Sequence, residues 1–332
     1  MITCAIVGAT GLVGSTFLKV LEEKHLNIDK YVLLASKKSK GKVIKFLDED
    51  YVVEELTENS FDHNRFDYAL FSAGSEISKI YSPIAAKNGC IVIDNSSAFR
   101  MKEDVPLVVP EVNMNKAFEN KGIIANPNCS TIQAVVILNA LKEFGIKRIV
   151  YNTYQAVSGA GQKGIIDFTN NTNKKLPYKI VNNCLPHIDV FLENGYTKEE
   201  VKMIEETKKI LNDSSIKITA TCVRVPVMNC HSESINIEFK YEFDILDIKQ
   251  KLNLNDGIVV LDDAARNIYP INTFADGKDD VFVGRIRRDF SVKSGVNLWV
   301  VADNIRKGAA SNAVQIVEKL MTKINKEELY YE

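Results

Sequence analysis

Residues 3–14 read Thr-Cys-Ala-Ile-Val-Gly-Ala-Thr-Gly-Leu-Val-Gly, an apolar strand-like run that passes through three glycines into a stretch of helical periodicity. Glycines at such a turn let the backbone approach a pyrophosphate, whose charge then rests on the N-terminus of the following helix. The spacing from Gly8 to Gly14 is GxxGxxG, not the commoner GxGxxG, so the context carries the reading. Residues 31–35, 68–72, 91–94 and 107–109 are further short apolar runs. Helix-like stretches at 14–23 and 83–88 lie between them, the second closed by Gly89. Thr16, Phe17, Val20 and Leu21 share one face of the first helix. Strands alternating with helices indicate βαβ units and a parallel sheet.

Past Cys129 the texture changes. Residues 130–144 read as a strongly apolar helix ending at Gly145. A run at 148–154, a loop Ser158-Gly159-Ala160-Gly161, an Asn/Lys-rich stretch at 170–175 and a charged helix at 197–212 follow. The runs at 216–226, 234–239, 284–289 and 298–302 alternate like strands of an antiparallel sheet. A final helix gathers Ala313, Ile316, Val317, Leu320, Met321 and Ile324 on one stripe.

A chain of 332 residues suggests about two domains. Hydrophobic residues at 45% and charged residues at 26% exclude a disordered chain, a collagen and a coiled coil. The formal net charge of −1 gives no global field for nucleic acid or an anionic membrane, so any anionic ligand must be met by a few local cations. No apolar run approaches the roughly 18 residues that span a bilayer. The first residues read as a strand, not a cleavable leader, and the expectation is a cytoplasmic protein. The six cysteines show no paired or metal-ligand spacing, so reduced thiols and no metal are expected.

Two places carry chemistry. The second strand ends in Ser36-Lys37-Lys38-Ser39-Lys40, with hydroxyls and ammonium groups and no acid. That favours a ribose 2′-phosphate over a free 2′-hydroxyl, and NADP over NAD. In Asn126-Pro127-Asn128-Cys129-Ser130-Thr131, Asn128 or Ser130 can cap the long helix. Cys129 then sits at its positive end, where a thiolate is favoured. Cys4, Cys90 and Cys184 read as small buried hydrophobes. A nucleophilic cysteine needs a base, and the histidines are His25, His63, His187 and His231. His25 and His63 lie in polar, surface-like segments and His187 in a loop, whereas His231 stands at the entry to a strand.

The motifs together resemble the aspartate-β-semialdehyde dehydrogenase family. The matching pieces are GATGLVG at 8–14, DNSSAFR at 94–100, VVPEVN at 108–113, NPNCST at 126–131, YQAVSGAG at 154–161, CVRVPVMNCHSE at 222–233 and DNIRKGAASNAV at 303–314. Seven pieces in the family's order, spread over most of the chain, exceed chance. The resemblance implies an α/β fold: an N-terminal Rossmann-type domain over 1–128, completed by a C-terminal helix at 309–332, and an α+β catalytic and dimerisation domain with a mixed sheet over 129–308. It implies NADPH-dependent reductive dephosphorylation of 4-phospho-L-aspartate to L-aspartate 4-semialdehyde and phosphate, on the route to lysine, methionine, threonine and isoleucine. It implies a homodimer, or a tetramer built from it.

Residue by residue, Cys129 matches the family nucleophile, His231 its acid/base and Gln155 the group that orients the acyl carbon. Arg224 matches the substrate-carboxylate arginine and Arg100 the phosphate arginine. Asn128 borders the substrate, and Glu206 and Lys209 resemble the pair that contacts its amine and phosphate, in a register uncertain by one. Gly8, Thr10, Gly11, Leu12 and Val13 match the pyrophosphate loop. Ser36, Lys38 and Ser39 match the 2′-phosphate site, and Ser158, Gly159 and Asn312 the nicotinamide half. Lys38 stands where many relatives carry Arg and lacks the bidentate fork. The rival N-acetyl-γ-glutamyl-phosphate reductase favours a PGCY pattern, which Pro127-Asn128-Cys129-Ser130 does not follow. Glyceraldehyde-phosphate dehydrogenase favours a different cysteine context, and a non-catalytic nucleotide-binding relative would have lost Cys129 or His231.

Overall fold

The computed structural model of the chain describes residues 1–328, apart from the side chains of His63, Asn64 and 323–328, so the expectations for His63 and Ile324 lie outside the described residues. The chain divides into two compact units, Met1–Pro127 with the residues from Ala309 onward, and Asn128–Gly308.

The first unit opens with β1 (Thr3–Val7), α1 (Leu12–Lys24) and β2 (Lys30–Ala35). A hairpin of β3 (Val43–Phe46) and β4 (Glu49–Val52) and a short β5 (Glu54–Glu55) come next. Then follow β6 (Tyr68–Phe71), α2 (Ser75–Lys87), β7 (Ile91–Asp94), α3 (Pro110–Asn113) and β8 (Ile123–Ala125). The main sheet runs β5-β2-β1-β6-β7-β8, parallel throughout. Strand order reverses between β1 and β6, and in such sheets ligands bind beyond the carboxyl ends at that point. Gly8 lies there with φ +85°, a backbone conformation that disfavours a side chain. Gly14 lets α1 close on the turn, because a Cβ there would stand 2.0 Å from the Gly8 carbonyl oxygen. The terminal helix returns to this unit, where Ala313, Ile316, Val317, Leu320 and Met321 join Ile6, Phe17, Val20, Leu21 and Leu33 in one buried cluster.

Three local expectations need correction here. Residues 107–109 form only an isolated bridge from Leu107 to Ala125, and β8 takes the strand position. The Asn113 side chain bonds the Val109 N–H and the Leu107 carbonyl, removing both from any ladder. Helix α2 starts eight residues before Pro83 and runs through it, with Ser78, Ser82 and Ala85 buried along it. Proline deletes one internal bond, and that burial holds the helix together across the gap.

The second unit holds α4 (Cys129–Ala140), β9 (Ile146–Gln155), α5 (Gln162–Thr169), α6 (Lys198–Leu211), β10 (Lys217–Arg224) and β11 (His231–Phe239). It ends with α7 (Ile245–Asn253), β12 (Ile258–Val260), β13 (Val281–Arg288) and β14 (Gly295–Ala302). The sheet is mixed, in the order β10-β9-β11-β14-β13-β12, with β10 parallel to β9, β12 parallel to β13 and the remaining pairs antiparallel. The third correction is Cys184, which is exposed; none of the six cysteines is in a disulfide. Asp167 pins the Asn/Lys-rich loop, accepting from the Thr172 hydroxyl and the N–H groups of Lys174, Lys175 and Leu176. No described helix is long and apolar enough to cross a membrane.

Replacing Gly14 by alanine forces α1 away from β1. We expect a loss of about 1–3 kcal/mol, the usual range for overpacking, together with weaker dinucleotide binding. Thermal melts with and without the nucleotide check both; an unchanged melt and an unchanged ligand shift would refute the close-packing argument.

Candidate active site

Helix α4 begins at Cys129. Asn128 caps it, its Oδ1 accepting from Ser130 N at 3.0 Å and Thr131 N at 3.3 Å. Cys129 thus occupies the first turn, where the helix N–H groups favour a negative charge. Gly308 lies flush against it: a Cβ at 308 would fall 2.7 Å from Cys129 Cβ.

Strand register brings the other candidates together. Arg224 on β10 is paired with Gln155 on β9, and Ser232 on β11 with Tyr154, so His231 falls beside Gln155. Arg224, Gln155 and His231 are all buried. Arg224 Nη1 donates to the Ala156 carbonyl at 2.6 Å, while the Ala156 N–H donates to His231 Nδ1 at 3.1 Å. A Cβ on Gly159 would lie 2.7 Å from Arg224 Nη1 and 3.1 Å from His231 Nε2. The missing side chain therefore lets the backbone at 159 pass closely against both groups. Arg224 also interacts electrostatically with Cys129.

Charge is set by burial and neighbours. Burial, then the Arg224 guanidinium, push the His231 pKa well below its ordinary value, and the Cys230 carbonyl offsets only part of this. The ring is neutral. Because Nδ1 accepts from Ala156, the proton is on Nε2, which is buried beside Gly159 and has no hydrogen-bond partner in the protein. Burial lowers the Arg224 pKa, and Glu199 and Cys129 oppose that.

A buried carboxylate ties the constellation together. Glu199 Oε1 accepts from Asn128 Nδ2 at 2.9 Å and Gln155 Nε2 at 3.1 Å, and Oε2 from Lys202 Nζ at 3.2 Å. Lys202 also reaches Asp189 at 2.7 Å. Burial disfavours the charge on Glu199, but Lys202, the two amide donors and Arg224 outweigh it and hold the carboxyl below its usual range. Glu206 accepts from the Asn128 N–H at 2.6 Å and so braces the turn from two helical turns further along the same face. Lys209 is partly buried on the following turn.

The remaining candidates divide between the units. Ser158 lies in the second, bonded to Asn304. In the first, Arg100 is buried, with Nε on the Asn126 carbonyl at 2.9 Å and Nη2 on the Asn95 carbonyl at 2.9 Å. Asn312 is there too, its amide donating to the Val108 carbonyl and to Asn126 Oδ1. The Thr10 and Ser39 hydroxyls are 3.2 Å apart, and Ser36 and Lys38 are exposed beside them in sequence. Among the described residues, Cys230, Asp276 and Asp303 bring metal-capable atoms within 4.8 Å of one another. Asp303 is occupied by the N–H groups of Gly277, Ile305 and Arg306.

The NAD-binding domain of semialdehyde dehydrogenases matches residues 3–120, and the semialdehyde dehydrogenase dimerisation domain matches residues 138–307. The aspartate-semialdehyde dehydrogenase of Aquifex aeolicus is 55% identical, over 96% of this chain and 97% of its own length. That of Bacillus subtilis is 46% identical, over 95% and 96%. The crystal structure of aspartate semialdehyde dehydrogenase II of Vibrio cholerae complexed with ASA superposes with a TM-score of 0.93 at 46% identity, over 97% of this chain and 98% of that one.

The chain belongs to the aspartate-semialdehyde dehydrogenase family. It is an oxidoreductase of amino-acid biosynthesis with a Rossmann-type first unit. Within this family's motifs, sequence reading passed over Glu199 and Lys202 in favour of Glu206 and Lys209. Both pairs have i,i+3 spacing and lie seven residues apart on one helix face, so spacing could not separate them. The capping box formed by Thr197 and Glu200 places Glu199 in the first turn of α6, and the bonds from Asn128 and Gln155 that set it apart appear only in the fold.

Glu199→Gln should lower activity at least about a hundredfold, since breaking a buried ion pair strands the partner charges. Its carboxyl is held below its ordinary value of 4.5, so its stabilising contribution is present above that pH and is lost as pH falls through the lower folded value. Melting temperature against pH should therefore fall less steeply on the acid side in the Gln variant. Parallel curves would show that Glu199 is not the charged centre.

Proposed function

We propose that this chain reduces 4-phospho-L-aspartate with NADPH to L-aspartate 4-semialdehyde and phosphate, through a thioester on Cys129. The observation that carries the reading is the convergence of Arg224 Nη1 and His231 Nε2 on Gly159, with Arg224 interacting electrostatically with the helix-capped Cys129. The Vibrio cholerae relative described as complexed with ASA supports the substrate. An acyl phosphate is already activated. The Cys129 thiolate adds to its carbonyl carbon, and the oxyanion collapses by expelling phosphate, whose bridging oxygen takes up the one proton that the net reaction consumes, delivered through the Nε2–H of His231 and replaced from water. The nicotinamide dinucleotide supplies a hydride to the thioester carbon when bound. The second oxyanion collapses by expelling the Cys129 thiolate, so the nucleophile is regenerated without a net proton transfer to it.

His231 serves the two oxyanions through its Nε2–H, the acid side of the acid/base role. Gln155, held by Glu199, orients the acyl group. Arg224 takes the α-carboxylate and Arg100 the phosphate, each as a planar donor suited to an anion. Glu199 and Lys202 replace Glu206 and Lys209 as the pair offered to the substrate amine and phosphate. Glu206 and Asn128 brace the turn beneath them.

The residues of the first unit fit a dinucleotide. The start of α1 at Leu12 and Val13 offers first-turn backbone N–H groups to a pyrophosphate, while Gly8 and Gly11 shape the turn, their own N–H groups donating to the Leu34 and Gly8 carbonyls, and a Cβ on Gly8 would crowd Ser72 at 3.0 Å. Thr10, Ser36, Lys38 and Ser39 suit a 2′-phosphate. A Candida albicans relative, 28% identical with a TM-score of 0.79 over 97% of this chain and 99% of that one, is described with NADP. Ser158 and Gly159 lie by the reacting carbon, while Asn312 anchors the strand ends of its own unit. The proposal includes a cytoplasmic homodimer, or a tetramer assembled from it. The dimerisation-domain match and the exposed Tyr154, packed on Trp299 at 5.5 Å across the outer sheet face, support the homodimer.

The test is phosphate-dependent reduction of NADP by aspartate semialdehyde, which none of the rival activities shares. Cys129→Ala should abolish turnover by several orders of magnitude while NADP still binds. A variant keeping a tenth of wild-type rate would sink the nucleophile assignment. NADP should bind far better than NAD, and Ser36→Asp should weaken NADP selectively by repelling the 2′-phosphate. Equal use of NAD by the wild type would remove the 2′-phosphate argument.

A further inference from the structure

Behind the row of Arg224, Gln155 and His231 lies a second row that the chemistry above does not use. Cys222 pairs with Thr153, and Thr153 with Glu233, each one strand step behind. Glu233 also faces Val300 on β14. All four are buried. The other buried carboxylates of this unit are each matched by donors. Glu199 has Lys202, Asn128 and Gln155; Glu206 has the Asn128 N–H; Glu200 has the N–H groups of Thr197 and Cys222. Glu233 is fully buried, and neither of its oxygens has a hydrogen-bond partner in the protein.

The titratable groups around it are anionic or neutral. Glu199 approaches from α6, Tyr151 from β9 and Cys222 from β10, and the neutral His231 precedes it by two residues on the same face of β11. An ionised carboxylate in that setting would be a dry, unmatched charge, among the costliest of arrangements. Burial first and Glu199 second accordingly push its carboxyl well above the usual range.

We propose that Glu233 is a positioning residue that works as an uncharged acid beneath His231 and Gln155. Its shape supports the catalytic row, and its neutrality leaves Glu199 as the carboxylate that balances Arg224. The neutrality has a chemical reason. The reaction gathers a thiolate, two successive oxyanions and a doubly anionic substrate on this face, and a second buried anion would repel each of them. The inference rests on the reaction proposed above for its kinetic arm, but not for its spectroscopic and stability arms.

The test compares wild type with Glu233→Gln and Glu233→Ala. The Gln variant, neutral and nearly isosteric, should keep kcat and KM within about threefold, whereas the Ala variant should lose about tenfold or more in kcat with KM little changed. The wild-type-minus-Gln infrared difference at pH 7 should show the carbonyl stretch of a protonated carboxyl. A carboxyl raised in the folded state stabilises fully below its unfolded value, about 4.5. That contribution is lost as pH rises towards the folded value. Glu233→Gln should therefore gain melting temperature over wild type as pH rises.

A Gln variant crippled tenfold with loss of a pH limb, or the absence of the carboxyl band, would overturn the uncharged form. An Ala variant with wild-type kcat would overturn the positioning role. Should the Ala variant not fold, the Gln variant's infrared and stability readouts still decide. Loss of the proposed reaction in wild type would defeat the functional reading while leaving those two readouts intact.

Discussion

The catalytic unit is organised by one requirement: Glu199 must stay ionised although it is buried. A carboxylate removed from water needs several donors at once, and each donor recruited here is also a working part of the site. Asn128 bonds Glu199 through its amide and caps the nucleophile's helix through its oxygen. Gln155 bonds it from β9, and Lys202 from the same helix. Satisfying a single anion thereby fixes the start of α4, the end of β9 and the first turns of α6 relative to one another. The arrangement is pre-organised before any substrate enters, which is the condition under which fixed dipoles stabilise a developing charge.

The same logic explains why a nearly neutral chain handles doubly anionic compounds. Its 42 basic and 43 acidic residues offer no general attraction, so the work falls to individual buried cations. Arg224 remains available because its bond to the Ala156 carbonyl uses only one of its five N–H donors. The Ala156 peptide also serves His231 through its N–H, so a single backbone unit aims a guanidinium and an imidazole into the same space. Burial first, and Arg224 after it, disfavour a charge on the imidazole. A neutral ring with its proton on Nε2 can donate to an oxyanion without competing with Cys129 for a proton.

The fold was legible because its signals are local. The glycine turn after β1, the apolar period of α1 and the stripe of the terminal helix each specify one element without help from the rest. Residues 107–109 misled because the competing interaction, the Asn113 side chain, replaces a ladder with bonds that look the same in composition. Pro83 misled because a local rule about proline yielded to burial along α2. Cys129, His231 and Arg224 could be singled out as candidates because their motifs are distinctive, and the fold brings Arg224 and His231 together beside Gly159. The choice of Glu199 over Glu206 was not legible. Both are buried acids on one face of α6, and both touch Asn128, one through its side chain and one through its backbone. Only the position of the helix start separates them. Glu233 could not be read as uncharged either, since that depends on which donors the folded chain fails to bring near it.

The candidate site is also packed around two positions where no side chain fits. At 159, a Cβ would press on Arg224 and His231; at 308, it would press on Cys129. The three groups are anchored by strand register, by the helix cap and by the Ala156 peptide, so none can retreat without breaking a buried bond. Close-packed interiors do not yield by the several tenths of an ångström that such contacts would demand. Both glycines are thus required by geometry that the polar network has already made rigid. The close approach at both glycines is held by the same buried network that keeps Glu199 ionised.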